Sequence, residues 1–274
     1  MCIAILIRHY SERFPLIVFH SREEDMARPT SSLGIHDSIL SAIDIKANGV
    51  AAVGLNIQTG RFAVLTNCRY KPGINPSGAS RGELIKRVLL SQEIPNVKYQ
   101  GFFHLYYGDM FQPDKPLHYI SNAANTLQDT YITPSTRLNV IVRSNEHIDT
   151  DDFFRPKISM LQNSLSKALE NKPDLSSVDE IIALIQQTLD DVESCLPIPS
   201  TLVSLYEWSL LPPKEEQFVL SHVFIPPLSL DTKSVFGTVS QTFIVSDVVS
   251  QSVHYWYKTN PEWIWEKQLV KFTL

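Results

Sequence analysis

Short apolar runs with a period of two dominate this chain, interrupted by three stretches whose apolar positions recur every three to four residues. Residues 2–7 and 16–20 are β-branched extended runs around a polar turn carrying Ser11 and Glu12. They are too short for helices, and they predict a hairpin. A second hairpin is predicted from residues 50–57 and 61–67 across Gln58-Thr59-Gly60, where Gly60 supplies the positive φ that a tight reversal requires. Residues 101–107 and 117–121, rich in aromatic and β-branched side chains, predict another strand pair.

The helical stretches are marked at their starts. Ser80-Arg81-Gly82-Glu83 has the form of a capping box ahead of Leu84, Ile85, Val88 and Leu89, which places a helix start near Arg81. Ile158, Leu161, Leu165 and Leu169 give residues 156–170 one apolar face. Val178, Ile181, Ile182, Ile185, Leu189 and Val192 do the same behind a Ser177 to Glu180 capping box. Proline-rich patches at 196–200, 211–213 and 225–227 punctuate the last third, with strands predicted at 218–225, 242–248, 252–258 and 268–273. The order strands, helix, strands, two helices, strands predicts layered sheets with packed helices, not an alternating parallel β-α array. No repeat or low-complexity linker divides the 274 residues, so one domain over 1–274 is expected.

Composition narrows the function classes. With 43% hydrophobic and 19% charged residues the chain is of ordinary globular make-up. A net charge of -5, with basic residues scattered, offers no footprint for nucleic acid. No apolar stretch approaches the ~18–20 residues of a membrane span. Arg8, His9, Glu12 and Arg13 interrupt any signal-like apolar core near the start, which is expected to belong to the fold. Cys2, Cys68 and Cys195 form no CxxC pair and suit a reducing compartment. The eight histidines form no HxxxH pair, so neither a metal nor a cofactor is expected. The aromatic group His254-Tyr255-Trp256-Tyr257 with Trp263 and Trp265 is expected in the core and on strand surfaces.

Cys2 carries the chemistry that position alone can suggest. Once Met1 is removed, the α-amine, with a pKa near ~7.7–8.0, can act as base toward the thiol of the same residue. The competing reading is an ordinary buried strand cysteine. Four further segments stand out: Ser21-Arg22-Glu23-Glu24 with Arg28-Pro29, which alone reads as a solvated charged loop; residues 60–67, a strand ending on Asn67; the helix start at Ser80; and Tyr119-Ile120-Ser121-Asn122-Ala123, a strand ending on Asn122.

Taken in order, Met1-Cys2-Ile3, Arg22, Glu24, Arg28-Pro29, residues 60–67, Arg81-Gly82-Glu83-Leu84, Gln100-Gly101-Phe102 and Ser121-Asn122-Ala123 resemble the NRDE family, also called the transport and Golgi organization protein 2 family. Gly237-Thr238 through Thr242 and the closing Phe272-Thr273-Leu274 also resemble its C-terminal strands. That family is similar to the N-terminal nucleophile hydrolases, which implies an α+β, four-layer αββα sandwich with Cys2 at the end of its first strand. The same resemblance implies roles for five residues: Cys2 as nucleophile and base, Arg22 holding the thiolate and amine, Glu23 orienting the amine, Asn67 and Asn122 donating to the oxyanion and positioning the amide. Three departures stand out. Ser21 replaces the family's Asn, Glu23 its Asp, and Val239 an Arg in the C-terminal Gly-Thr stretch. The family's Gly-Gly-Thr-Trp-Leu-Gly segment reads here Asn48-Gly49-Val50-Ala51-Ala52-Val53-Gly54.

Two functions follow from the resemblance. One is a cytoplasmic binding or trafficking protein, Golgi- or mitochondrion-associated, in secretory organisation or in haem or lipid homeostasis, whose cleft takes a hydrophobic ligand such as haem or a lipid. The other is a cysteine hydrolase of small, non-peptide linear amides.

Overall fold

A computed structural model describes residues 2–68, 78, 80–92, 101–122, 128–133, 136–145, 155–192, 225, 227–229, 235–260 and 262–272. Met1, Cys195, the patches at 196–200 and 211–213, and nearly all of the strand expected at 218–225 lie outside them. The described residues form an α+β structure. Strands β1 (Ile3–Arg8), β2 (Leu16–Asp25), β12 (Asn139–Arg143), β13 (Leu228–Ser229), β14 (Val235–Asp247), β15 (Ser252–Thr259) and β16 (Glu266–Lys271) make one sheet, in the order β12-β1-β2-β14-β15-β16 with β13 beside β14. Strands β3 (Gly34–His36), β4 (Ile39–Ser41), β7 (Val53–Asn56), β8 (Arg61–Cys68), β9 (Phe102–Asp109), β10 (Leu117–Ser121) and β11 (Gln128–Ile132) make a second, in the order β11-β10-β9-β8-β7-β4-β3. A small ribbon pairs β5 (Ile43–Asp44) with β6 (Gly49–Val50). Every strand pairing among the described residues is antiparallel.

The period of two sorts side chains into separate cores. Ile3, Ile5 and Ile7 of β1, with Ile17 and Phe19 of β2, pack under helices α2 (Arg155–Glu170) and α3 (Val178–Val192), which contribute Leu161, Leu165, Ile181 and Ile185. Ala4, Leu6, Leu16 and Val18 point the other way, against Phe62, Val64 and Tyr106 of the second sheet. Beyond that sheet, Ala63, Leu65, Phe103 and Leu105 meet Leu84, Ile85, Val88 and Leu89 of helix α1 (Arg81–Leu89). Each fully buried Ile, Leu or Phe contributes about 1.5–3 kcal/mol, so these faces fix the strand registers. Tyr255, Trp256 and Tyr257 are buried as expected of core aromatics.

The helix caps differ in detail. Ser177 and Glu180 form the reciprocal capping box: the Glu180 amide donates to Ser177 Oγ at 3.2 Å and the Ser177 amide to Glu180 Oε2 at 3.1 Å. At α1, Ser80 Oγ accepts instead from the Gly82 amide at 3.2 Å, and Glu83 turns to Arg87 at 3.1 Å. The stretch 50–57 is also not one strand, because Ala52 with φ +71° breaks it between β6 and β7.

The charged segment 21–25, which alone reads as a solvated loop, is instead the second half of β2. Ser21 is fully buried, and Arg22 and Glu23 are each 5% exposed. The reason lies far away in sequence: β14 pairs with β2 along this segment, setting Thr238 opposite Glu23 and Ser240 opposite Arg22, with Val239 as the extra residue of a bulge.

Candidate functional site: a polar cleft beside Cys2

The β1–β2 ladder begins at Ile3 opposite Ser21, so the same register brings Cys2 alongside Arg22. Cys2 is 5% exposed. Its thiol is pushed above the ordinary value, first by burial and then by the Glu23 carboxylate; a hydrogen bond from the Glu23 backbone amide and the charge of Arg22 act the other way. Ser144 Oγ donates to the Cys2 carbonyl at 3.1 Å, just past the end of β12. The next residue, Asn145, donates through Nδ2 to the carbonyl of Asn67. Two successive side chains thus fasten Cys2 of one sheet and Asn67 of the other at the same end of the stack.

Between them lies a cleft of about 80 Å³ lined by Cys2, Asn67, Arg22, Arg28, Asp44 and Arg81, among others. Its charged wall is a compact network. Arg22 Nη2 lies 3.0 Å from Asp44 Oδ2 and 3.6 Å from Glu24 Oε2. Arg28 reaches the same two carboxylates, with Nε 2.9 Å from Asp44 Oδ2 and Nη1 3.2 Å from Glu24 Oε2. The opposite wall is the start of α1. Gly82 packs so closely on Gly49 of β6 that a Cβ on either would meet the other's backbone at 3.2 Å, and this contact seats the helix start on the ribbon that carries Asp44.

The five residues singled out in the sequence are therefore placed unequally. Cys2, Arg22 and Asn67 line the cleft. Glu23 is buried beside them, with Oε1 accepting from Ser21 Oγ at 2.7 Å. Asn122 is outside the described lining: its Oδ1 accepts from the Phe103 amide at 2.9 Å and its Nδ2 donates to the Gly101 carbonyl at 3.2 Å. Both bonds fix the start of β9, directly across from Asn67, which pairs with Phe103.

The model of the Transport and Golgi organisation 2 family matches residues 1–259. The chain belongs to that family. No curated protein and no solved structure matched the chain. The family match runs from the N-terminal hairpin to the end of β15 and so takes in every residue of the cleft named above.

In this family member several residues in and behind the cleft escape sequence reasoning. Asp44 offers a weak signal, an acid between Ile43 and Ile45 that breaks an apolar run. Ser144 and Asn145 offer none, since their contacts depend on where β12 ends. His20 sits in the same sheet, 2% exposed, with its pKa lowered to about 3, chiefly by burial and then by the charge of Arg22. Among the described residues no group of three or more His, Cys, Asp or Glu side chains could hold a metal ion, and no helix is long and apolar enough to cross a membrane.

Proposed function

We propose that this family member is a ligand-binding protein whose cleft beside Cys2 receives the head group of a small molecule, on a single-domain αββα sandwich of the N-terminal nucleophile hydrolase kind. The cores described above, with α2 and α3 outside one sheet and α1 outside the other, support that architecture. The binding reading rests on the disposition of charge around the thiol. Arg22 is committed to Asp44 and Glu24, while burial and Glu23 favour the neutral thiol. A thiol held neutral near pH 7 is a poor nucleophile. The cleft, at about 80 Å³, is also far below the ~300–1,000 Å³ of pockets that enclose a drug-sized ligand, so the body of a lipid or haem would lie outside it. Family membership supports a role in Golgi and secretory organisation, and a cytoplasmic site of action with haem or lipid as ligand belongs to this same proposal.

Hydrolysis of a small linear amide is the second reading. It is favoured by Cys2 and Asn67 lining one cleft and by the Glu23 amide bonded to the thiol. The two readings separate on the pH profile of Cys2 alkylation, followed by site-resolved mass spectrometry on wild type and Arg22→Ala. Binding without catalysis predicts a Cys2 profile displaced above the free-thiol pKa of ~8.5. A Cys2 that is alkylated readily below neutrality, in a chain whose intact mass shows Met1 removed, and that slows when Arg22 is lost, overturns the binding reading in favour of the hydrolase.

A further inference from the structure

We propose that the cleft is a carboxylate site, in which the Nη1 donors of Arg22 and the first turn of α1 hold a single anionic group of the ligand. This deepens the binding reading and rests on it. The first observation is a leftover donor. Arg22 is 5% exposed, its Nη2 faces Asp44 and Glu24, and its Nη1 is buried with no hydrogen-bond partner among the described residues. A guanidinium donor left unbonded in a buried site is costly, and a ligand acceptor would relieve that cost. The second is the helix. α1 is nine residues long, its N-cap Ser80 and its Gly82 line the same cleft, and the positive end of a helix attracts anions.

Size and shape choose the ligand group. Among the described residues the carboxylates that line the cleft are Glu24 and Asp44. Each is already shared by Arg22 and Arg28, so neither presents an uncompensated charge to an incoming anion. A cleft of about 80 Å³ admits a carboxylate with a short stem. A carboxylate is also the planar acceptor that a guanidinium edge fits best.

The test is a titration of the full chain followed by ¹⁵N NMR, with acetate, octanoate, 1-octanol and inorganic phosphate as probes against chloride at equal ionic strength. Acetate and octanoate are expected to shift the Arg22 and Arg81 Nε–H and Gly82 amide signals toward similar endpoints, octanol to leave them in place, and phosphate to bind more weakly. Tighter binding of octanoate than acetate identifies the source as a fatty acyl chain; equal binding identifies a free small acid. Arg22→Lys keeps a cation for Asp44 but loses the second donor arm, and should weaken acetate about tenfold. Should that variant fail to fold, Arg81→Gln, half-exposed on the first turn, is expected to weaken acetate while Arg87→Gln on the last turn leaves it unchanged. Cleft signals indifferent to both carboxylates, or shifted equally by octanol, overturn the site whatever Cys2 does. A reactive, low-pKa Cys2 alongside intact carboxylate shifts overturns the binding reading alone.

Discussion

An alanine at Gly82 should loosen the cleft wall by an amount that the close approach of α1 to β6 sets. Its Cβ would lie 3.2 Å from the Gly49 carbonyl carbon, 3.2 Å from Gly49 Cα and 3.2 Å from Val50 N. All three are backbone atoms in a paired ribbon, so no rotamer change relieves them. Overpacking of this kind costs about 1–3 kcal/mol. Against it stands the gain of Ala over Gly within a helix, at most about 1 kcal/mol and less in the first turn. The overpacking term wins, and Gly82→Ala should lose about 1 kcal/mol, lowering the thermal midpoint by about 2–4 °C for a chain of this size class. Gly49→Ala meets the Gly82 backbone at the same 3.2 Å with no helical gain to offset it, so it should cost more. Either substitution separates the same two backbones, so the double variant should fall short of the summed losses by about 1 kcal/mol. Urea unfolding at constant m measures all three. Additive single effects, or a Gly82→Ala chain more stable than wild type, would refute the claim that this contact holds the wall.

Two further predictions concern protons and the far end of the stack. His20 stays neutral in the folded chain down to about pH 3, whereas the unfolded ring takes up a proton near 6.5, so stability should be complete above pH 6.5 and fall by about 1.4 kcal/mol per unit below it. His20→Gln should flatten that acid limb in urea midpoints taken from pH 7 to 4, and an unchanged slope would place the acid sensitivity elsewhere. At the other end of β2, Arg13 Nη2 lies 2.8 Å from Asp247 Oδ2, with Asp247 only 2% exposed. Burial pushes the Asp247 carboxyl up, but the Arg13 hydrogen bonds and the Ser250 contacts together hold it below its ordinary value, so its contribution is present above the ordinary carboxylate pKa and is lost as pH falls through the lower folded one. Because Arg13 is 39% exposed and screened, Arg13→Met should cost only about 1–2 kcal/mol, with an upward shift of the Asp247 carboxyl resonance titration as the direct check.

How much of this was legible in the sequence depends on how local each cause is. The β1–β2 and β7–β8 hairpins and the capped helices follow from residues within one turn or one reversal of each other, and they form where the patterns place them. Gly60 takes φ +73° at the turn that demanded it. The unread elements are set by partners distant in the chain. β12 carries the β-branched run Val140-Ile141-Val142, yet its importance lies in its place beside β1, which puts Ser144 on the Cys2 carbonyl. β14 runs for 13 residues where residues 242–248 read as strand from their pattern, because the burial of residues 237–241 comes from pairing with β2 on one side and with β15 at Ser240 and Gln241 on the other. The cleft shares that limit: Cys2, Arg22 and Asn67 could be singled out, while Asp44 enters only because the β5–β6 ribbon folds back between β2 and α1.

Ser21 and Glu23 act as one unit in physical terms. Side chains two apart in a strand share a face, so residues 21 and 23 can touch each other while Arg22 points the opposite way, toward the cleft. They do touch: Ser21 Oγ donates to Glu23 Oε1 at 2.7 Å in a fully buried setting. The Glu23 carboxylate is thus carried on a long stem whose tip is steadied by a hydroxyl. Arg22 stands between them on the other face, with the commitment to Asp44 and Glu24 that leaves Nη1 over. The strand therefore divides its polar residues by face, the cation lining the cleft and the buried support lying behind it. That division suits a site that holds an anion, since binding draws on the donor itself and asks of the residues behind it only that they keep the strand in place.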